Sequence, residues 1–594
     1  MELCMSDERA SSALDGLVAA LPEHYQPIFG HPEHSAAVAR ECHDRLEPII
    51  RVYKVLEAKL QRPLRVLDLG CAQGFFSLSL AELGATVHGV DYFDGNVAVC
   101  NALAEEYREL EISFQVARIE EVMLDQVGPD QYDLVLGLSV FHHIVYEKGA
   151  HAVRQMLDDL AHKVVGGIFE LALASEPPYW AAAQPQEPRQ LLSGFAFVHE
   201  LAQHKTHLSG IPRPLYFASN RYWYLNDQVV AFDSWQAYPH VLAQDVHQGT
   251  RRYYFGEGLI AKFFRLDHAE VSMANLDEHR SEVTFLRAPP PGIKVPQLLM
   301  EGRHEHEVWL VRELLPGELL VDIIRDGKSY DVRLALQDVL TQLVALESVG
   351  LYHSDLRAWN VLVNSEGHAQ LIDYGSIAIA AKDCVWPYNI FLAFLIFVYE
   401  VSTGRVGDSR PLRTVAISPY RLDQPYRKWM TAFWSYPTSR WSFKTMHQLF
   451  EQMDSLEEDD EFVENTPLQH WMQAIEDAME MQMSLVGHVQ RQQQQIEKCS
   501  EEKLSKLFHM QAHADKALAR IDERLQALKS EFTQLNTILA QLKKSLSMRE
   551  AESVEVYSSR SWRTTLPRRV VDRLIKQFRR MIRKMHDLII GSPL

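Results

Sequence analysis

The sequence predicts a multidomain chain: a Rossmann-like α/β domain, then a two-lobed α+β domain, then a long α-helical coiled coil. Three observations predict it. A short apolar strand enters a glycine turn at Val66–Gly74, a lysine-bearing strand and two Asp-bearing loops are spread over Lys262–Asp373, and leucines recur at steps of three and four from Leu504 to Leu546. A chain of 594 residues with 47% hydrophobic content has room for several substantial cores. The expected divisions are 1–215, 216–466, 467–556 and a basic tail at 557–594.

The first domain is read strand by strand. Arg65–Leu69 is a buried strand, Gly70-Cys-Ala-Gln-Gly74 is the turn, and a helix begins near Phe75. Glycines there let backbone N–H groups approach a cofactor at the helix N-terminus. Val87–Val90 is the next strand, ending at Asp91, whose carboxylate can accept both ribose hydroxyls of a nucleoside. Tyr132–Leu138 is a later strand leading to Ser139 and the pair His142-His143. A lone glycine turn also serves nicotinamide enzymes, but Leu-Asp68-Leu-Gly70-Cys, Gly-Val-Asp91 and Tyr-Asp133-Leu-Val together resemble class I methyltransferases, which implies S-adenosyl-L-methionine. Ala72 stands where many such turns have glycine, a change expected to leave the turn intact. The candidate cofactor residues are Asp68, Gly70, Gly74, Asp91, Asn96 and Leu138, with Tyr25, Gln26 and Arg45 as a lid and Arg118 and Glu120 beside the adenine. The plainer alternatives are two surface helices for the lid and a solvated charge cluster for Arg118–Glu121. The histidine pair reads as structural before it reads as a general base.

The second domain carries the denser constellation. Leu259-Ile-Ala-Lys262-Phe-Phe alternates like a strand, and Glu282 follows on a helix over His279–Arg287. A strand lysine held by a helix glutamate is how kinases aim a cation at nucleotide phosphates. Trp309–Gly317 reads as a strand entering a hinge, with Glu313 and Leu315 as the adenine edge for ATP. His353-Ser-Asp355 and the Asp-x4-Asn spacing to Asn360 follow, then a strand ending at Asp373-Tyr-Gly375. Asp355 is the candidate for orienting an acceptor hydroxyl and taking its proton, and Asn360 and Asp373 for holding Mg2+. No clear glycine-rich loop precedes Lys262, and no Ala-Pro-Glu follows Gly375, which favours a sugar or small-molecule acceptor over a protein. His304-Glu-His306-Glu lies between two strands and reads as a polar turn, not a metal site.

The helix expected from Pro467 to Val556 would run roughly 130 Å at about 1.5 Å per residue. With Leu518 at position a, Leu and Phe fill a and mostly Leu fills d, a pattern that does not indicate a dimer and leaves trimer or higher open. Charge is unevenly placed. The net value is −19, yet Arg560–Leu594 holds ten Lys/Arg against Asp572 and Asp587, a surplus of +8 that leaves −27 elsewhere. An acidic body argues against nucleic acid, and a basic amphipathic stretch at Leu566–Ile590 argues for an anionic membrane surface or a docking partner. Ile390–Tyr399 is too short to span a bilayer and reads as a buried helix. Six cysteines without a CxxC pair suit a reducing compartment, and the acidic first residues show no signal-peptide pattern.

With these parts in this order, the chain resembles the WbdD family, bifunctional enzymes that terminate polymannose O-antigen chains. The resemblance includes Leu21-Pro-Glu-His-Tyr-Gln-Pro-Ile-Phe-Gly-His-Pro-Glu33, the Asp68–Gly74 turn, Phe141-His-His-Ile144, Leu315-Pro-Gly317, His353-x-Asp355 and Cys384-Val-Trp-Pro387. It implies a kinase that phosphorylates the terminal mannose of a lipid-linked polymannose glycan and a methyltransferase that caps the phosphate. It also implies a coiled-coil homotrimer that sets chain length, a tail that recruits the polymerising mannosyltransferase, and a peripheral place on the cytoplasmic face of the bacterial inner membrane. Two rivals stay open: a hydroxyl methyltransferase with an inactive kinase fold, and a membrane scaffold for the polymerase.

Overall fold

The computed structural model describes residues 14–34, 38–206, 208–243, 247, 249–267, 271–304, 306–406, 413, 415–456, 466–558, 573, 575–577 and 579–580. The chain divides into two units, Met1–Gly487 and His488–Leu594.

Short runs of Val, Leu and Ile buried on both faces make parallel strands. In the first unit β1 (Arg65–Leu69), β4 (Leu134–Leu138) and β5 (Gly166–Glu170) are buried along nearly their whole length, while β2 (Thr86–Asp91) and the edge strand β3 (Ile112–Val116) are partly buried. They pair in parallel, and β7 (Ser209–Ser219) and β6 (Phe197–Thr206) add an antiparallel edge, giving the order β3-β2-β1-β4-β5-β7-β6. The strand order reverses direction at β1, and the register of Leu69 against Val90 brings the ends of β1 and β2 level. The crevice at such a switch point is where open α/β sheets bind ligands. Because β7 runs on to Ser219, the expected division at 215/216 falls inside a strand: the sheet needs this edge to cover β5.

β8 (Tyr222–Leu225) and β9 (Gln228–Ala231) form a hairpin, and a second sheet follows. It is built of β10 (Ser234–Gln236), β11 (Arg251–Gly256), β12 (Leu259–Arg265), β13 (Leu298–His304) and β14 (Glu307–Glu313), in the order β10-β11-β12-β14-β13, all antiparallel. The β11–β12 turn has Glu257 at φ 53° and Gly258 at φ 73°, the two positive values a two-residue hairpin turn requires. The helix behind this sheet spans Ser272–Arg287, about two turns longer at its start than the sequence suggests. His304 ends β13 and Glu307 opens β14, so two of the four residues of the His-Glu-His-Glu segment belong to strands.

The two sheets share one core. Tyr254, Phe263, Trp309 and Val311 of the second sheet pack with Phe197, Leu215, Phe217 and Trp223. Buried Glu307 accepts from His199 at 2.7 Å and from Arg189 at 3.3 Å, and the Tyr254 hydroxyl donates to the Ala196 carbonyl at 2.7 Å. A separate core, rich in Phe394, Phe397, Trp429, Phe433 and Phe443, forms the helical lobe beyond the hinge. Its central helix, Ile390–Thr403, is buried along nearly its whole length and capped by Asn389, whose side chain accepts from the N–H groups of Phe391 and Leu392. Among the described residues no helix is long and apolar enough to cross a membrane.

One helix runs over Pro467–Ser558. Its first turns are tied to the helical lobe: Glu476 accepts from the Ser418 N–H at 2.9 Å and hydroxyl at 3.0 Å, and pairs with Arg421 at 3.0 Å. In the second unit Leu518, Ile521, Leu525, Leu528, Phe532, Leu535, Leu539 and Leu542 are all exposed on the single chain. The amphipathic stretch expected at Leu566–Ile590 lies almost wholly outside the described residues.

Candidate active sites

The first site is built on the turn between β1 and the helix Phe75–Glu82. Gly70 and Gly74 both have φ 79°, and a Cβ on Gly70 would stand 2.8 Å from Val140. Ala72 keeps the turn but adopts φ 48°, a left-handed value that costs an L residue some strain. Its N–H donates to Asp91 Oδ2 at 3.0 Å, while Asp91 Oδ1 accepts from Phe93 N–H at 2.9 Å and Asn96 at 3.2 Å. Asp91 therefore sits at the crevice, positioned by backbone and held by Asn96, whose own oxygen accepts from Gln73 at 2.7 Å. Asp68 accepts from the Ser77 hydroxyl at 2.6 Å, and burial, aided by the nearby Asp91 charge, pushes its carboxyl up to about 7. Burial raises Asp91 as well.

The N-terminal segment lies against this turn. Gln26 is buried; its N–H donates to Gln73 Oε1 at 2.9 Å and its Oε1 accepts from the Phe75 N–H at 3.1 Å, satisfying a donor at the helix start. Tyr25 accepts from Arg40 at 3.1 Å. Arg45, on the helix His43–Leu60, is buried toward Glu170 at the end of β5 and not toward the glycine turn. Leu138 ends β4, the strand next to β1, and is partly buried. Arg118 instead turns to Glu120 and Glu147, and buried Glu120 is also paired with Lys148 at 2.9 Å. Glycine cradle, crevice carboxylate and buried N-terminal strap suit an adenosyl cofactor with a charged amino-acid tail.

The second site is assembled across three elements. Lys262 on β12 donates to Glu282 at 2.8 Å and lies 3.5 Å from Asp373. Glu282 is fully buried and also pairs with Arg312 at 3.3 Å. Asp373 has φ 65°. Although burial opposes it, Lys262 and the Ser376 hydroxyl hold this carboxyl down to about 2, so it is ionised at neutral pH. Tyr374 stacks on Phe285, centroids 5.4 Å apart, which fixes the Asp-Tyr-Gly turn against the Ser272–Arg287 helix. Asn360 gives its N–H groups to the Asp355 carbonyl at 2.9 Å and carboxylate at 2.7 Å, which leaves its own oxygen free to ligate. An amide oxygen and an ionised carboxylate are hard donors of the kind Mg2+ takes together with substrate phosphates. At the hinge, the Glu313 side chain accepts from the Gln297 N–H at 2.9 Å and its own N–H donates to the Gln297 carbonyl at 3.0 Å; Leu315 follows one residue beyond Leu314, whose N–H donates to the Gly258 carbonyl.

Sequence reasoning missed several partners. Arg357 pairs with Asp355 at 2.5 Å and is itself fixed by buried Asp383 through two bonds of 3.0 Å. His247, in the segment that precedes β11, lies within electrostatic reach of Asp373 and Asp355, and burial followed by Arg251 pushes its imidazole down to about 3. Arg40, Ser139, Glu170 and Arg213 form a buried network at the ends of β4, β5 and β7. Arg357 stood two residues from a motif and was legible; the other partners meet only through tertiary packing.

A model of the family described as "Methyltransferase domain" matches residues 66–162. Two Escherichia coli proteins described as O-antigen chain terminator bifunctional methyltransferase/kinase WbdD are 44% identical over 430 residues, 71% of this chain and 61% of theirs. The chain thus spans about three fifths of the length of these curated relatives. A medium-resolution structure of WbdD covers 79% of this chain and is itself covered in full, with 40% identity and a TM-score of 0.70. A low-resolution structure of WbdD with its C-terminal bundle ordered covers 85%, again in full, at 40% identity and a TM-score of 0.76. On this likeness in sequence and in structure, through both globular domains and into the long helix, the chain belongs to the WbdD family.

Proposed function

We propose that this chain terminates a polymannose O-antigen by phosphorylating the non-reducing terminal mannose of the lipid-linked glycan with ATP and then methylating that phosphate. The observation that carries the reading is the intact set Lys262, Glu282, Asp355, Asn360 and Asp373, joined in one cleft with every charge paired. In this reading Asp355, oriented by Asn360 and Arg357, takes the proton of the attacking hydroxyl. Lys262 neutralises phosphate oxygens, Asn360 and Asp373 hold Mg2+, and the Glu313–Leu315 backbone borders adenine. Methyl transfer then needs no base, because a phosphate oxygen is already an anionic nucleophile. S-adenosyl-L-methionine, when bound, supplies a methyl on a sulfonium sulfur. Gly70 and Gly74 admit it, Asp91 with Asn96 orients its ribose, Asp68, Tyr25 and Gln26 enclose its amino-acid end, and Leu138 and Glu120 border its base.

The exposed leucine stripe of the long helix supports a coiled-coil homotrimer. Such a rod would hold the active sites at a set height and so set chain length. The basic surplus after Arg560 supports a peripheral attachment to the cytoplasmic face of the inner membrane, beside the polymerising mannosyltransferase.

An order of action tests the reading. Asp355→Asn should abolish both modifications, because nothing remains to methylate, whereas Asp91→Ala should leave phosphorylated, unmethylated ends. Mass spectrometry of the terminal sugar after incubation with ATP and S-adenosyl-L-methionine reads both. Methylation of unphosphorylated glycan by the Asp355→Asn protein would overturn it in favour of hydroxyl methylation.

A further inference from the structure

The buried network beside the first site has more cation than its own carboxylates balance. Arg40, Arg45 and Arg213 are each at most 4% exposed, against two equally buried carboxylates, Glu170 and Glu176. Asp44, 3.4 Å from Arg45, is half-exposed and lies at the edge. Arg213 grips Glu176 through Nε at 2.8 Å and Nη2 at 2.8 Å, and stacks over Trp180 with its guanidinium carbon 4.9 Å from the ring centre. Its remaining Nη1 donates to Ser139 Oγ at 3.0 Å, and Arg40 Nη1 donates to the same oxygen at 2.6 Å. Two guanidinium groups from opposite ends of the domain thus converge on one hydroxyl, which itself donates to the Glu170 carboxylate.

Three further observations mark the place as unfinished. Ser139 is held at φ 54°, a strained value for a residue other than glycine. Arg40 Nε and His142 Nδ1 are buried without a hydrogen-bond partner, and Arg45 Nε reaches only the Asp44 carboxylate at 3.4 Å. Buried donors left open cost stability, and a native fold keeps them where a ligand completes them. Burial, with His143, Arg213 and Arg40 behind it, pushes His142 down to about 2, so the histidine pair adds no charge of its own.

Strand order separates this network from the nucleoside. Asp91 ends β2, on one side of β1, while Ser139, Glu170 and Arg213 belong to the β4, β5 and β7 side. We propose that Arg213, Arg40 and Ser139 form the seat of the methyl acceptor and that it takes a phosphate monoester. This rests on the reading of the chain as a phosphate methyltransferase and names the residues that recognise its substrate. The Nη1 groups of Arg213 and Arg40 that converge at Ser139 are charged donors of the kind phosphate oxygens accept from, and the buried positive surplus selects the ester over a neutral sugar. The attacking oxygen bonds to the methyl carbon, the carbon–sulfur bond breaks, and its electron pair stays on sulfur, so the acceptor loses one negative charge and the product binds the seat less well.

Calorimetry on the full chain with S-adenosylhomocysteine present tests the seat, with mannose 6-phosphate and unmodified mannose as probes. The phosphate should bind and mannose should not. Arg213→Gln should weaken the phosphate roughly 10- to 100-fold, the loss of a charged hydrogen-bond pair, while S-adenosylhomocysteine binding changes less than about 2-fold. Arg213→Lys, which keeps the charge facing Glu176 but not the fork, should fall between, and it decides the matter if the glutamine variant does not fold. Unchanged phosphate affinity in the variants, or an equal loss of S-adenosylhomocysteine binding, would overturn the seat. Phosphorylation of a mannan is assayed separately: its absence, with Arg213-dependent phosphate binding intact, would overturn the chain-terminating reading and support the seat alone.

Discussion

The two active sites differ in how they hold charge before any ligand arrives. In the cleft proposed for phosphoryl transfer, each buried ion meets its opposite: Lys262 with Glu282 and Asp373, Arg312 with Glu282, Arg357 with Asp355 and Asp383. In the crevice proposed for methyl transfer, Asp68 and Asp91 lack cations among the described residues, while Arg40 keeps an open donor. A reaction that depends on placing cations around phosphates needs its charges fixed in advance. A reaction whose electrophile arrives on a cofactor can leave the crevice to be completed by that cofactor and its acceptor. The difference predicts which substitutions damage the fold and which damage only binding.

The largest effect belongs to the paired site. Glu282→Gln leaves Arg312 buried without a counter-charge and Lys262 with Asp373 alone at 3.5 Å, which should cost about 3–5 kcal/mol of stability. Phosphoryl transfer should fall by roughly 10²–10³-fold as Lys262 loses its aim. Denaturant unfolding and ATP-dependent labelling of a mannan check the two. Methyl transfer to a pre-phosphorylated glycan tests the comparison itself: it should survive. If it falls in step, the shared Phe197–Phe263–Trp309 core couples the domains into one catalytic body.

Gly70→Ala strikes the open site. A side chain at φ 79° and 2.8 Å from Val140 should cost about 1–3 kcal/mol. The loss should appear as weaker S-adenosyl-L-methionine binding by calorimetry, with phosphorylation unchanged. Retention of full cofactor affinity would show that the turn tolerates a Cβ as it does at Ala72.

These contrasts also show what a linear sequence reveals. The glycine turn, Asp91 and the Lys–Glu–Asp–Asn–Asp series are legible because their chemistry is tied to strand ends and helix starts at fixed spacing. The Glu282 partnership with Lys262 could be read across twenty residues because strand and helix are sequential neighbours. The Arg40–Ser139–Arg213 network could not, since its members lie up to 173 positions apart in the chain and meet only when β7 closes the sheet. Arg45 illustrates the limit from the other side: its place before β1 suggested a lid over the glycine turn, yet the helix phase of His43–Leu60 turns it toward Glu170. The division between the first two domains was blurred for a related reason, because β7 is recognisable as an edge strand only by its pairing with β5.

The smallest effect is one of pH, and it separates the sites by sign. Asp68 is raised by burial to about 7, so between about pH 4 and pH 7 the folded chain holds a proton that the unfolded chain has released. Stability contributed by this neutral acid is present at low pH and is lost as pH rises through the folded value. Asp91 is shifted the same way. Asp373 behaves oppositely: lowered to about 2, its favourable pairing is present above about pH 4 and lost only as pH falls toward 2. Across pH 5–8, then, Asp373 gives no slope and Asp68 does. Asp68→Asn removes the titrating group, so the stability of the wild type relative to the variant should decline by up to about 1.4 kcal/mol per pH unit between 5 and 7 and level off above. Urea unfolding without cofactor at four pH values measures it, and parallel curves for wild type and variant would show that Asp68 is ionised in the fold and that the crevice is less deprived of counter-charge than its geometry implies.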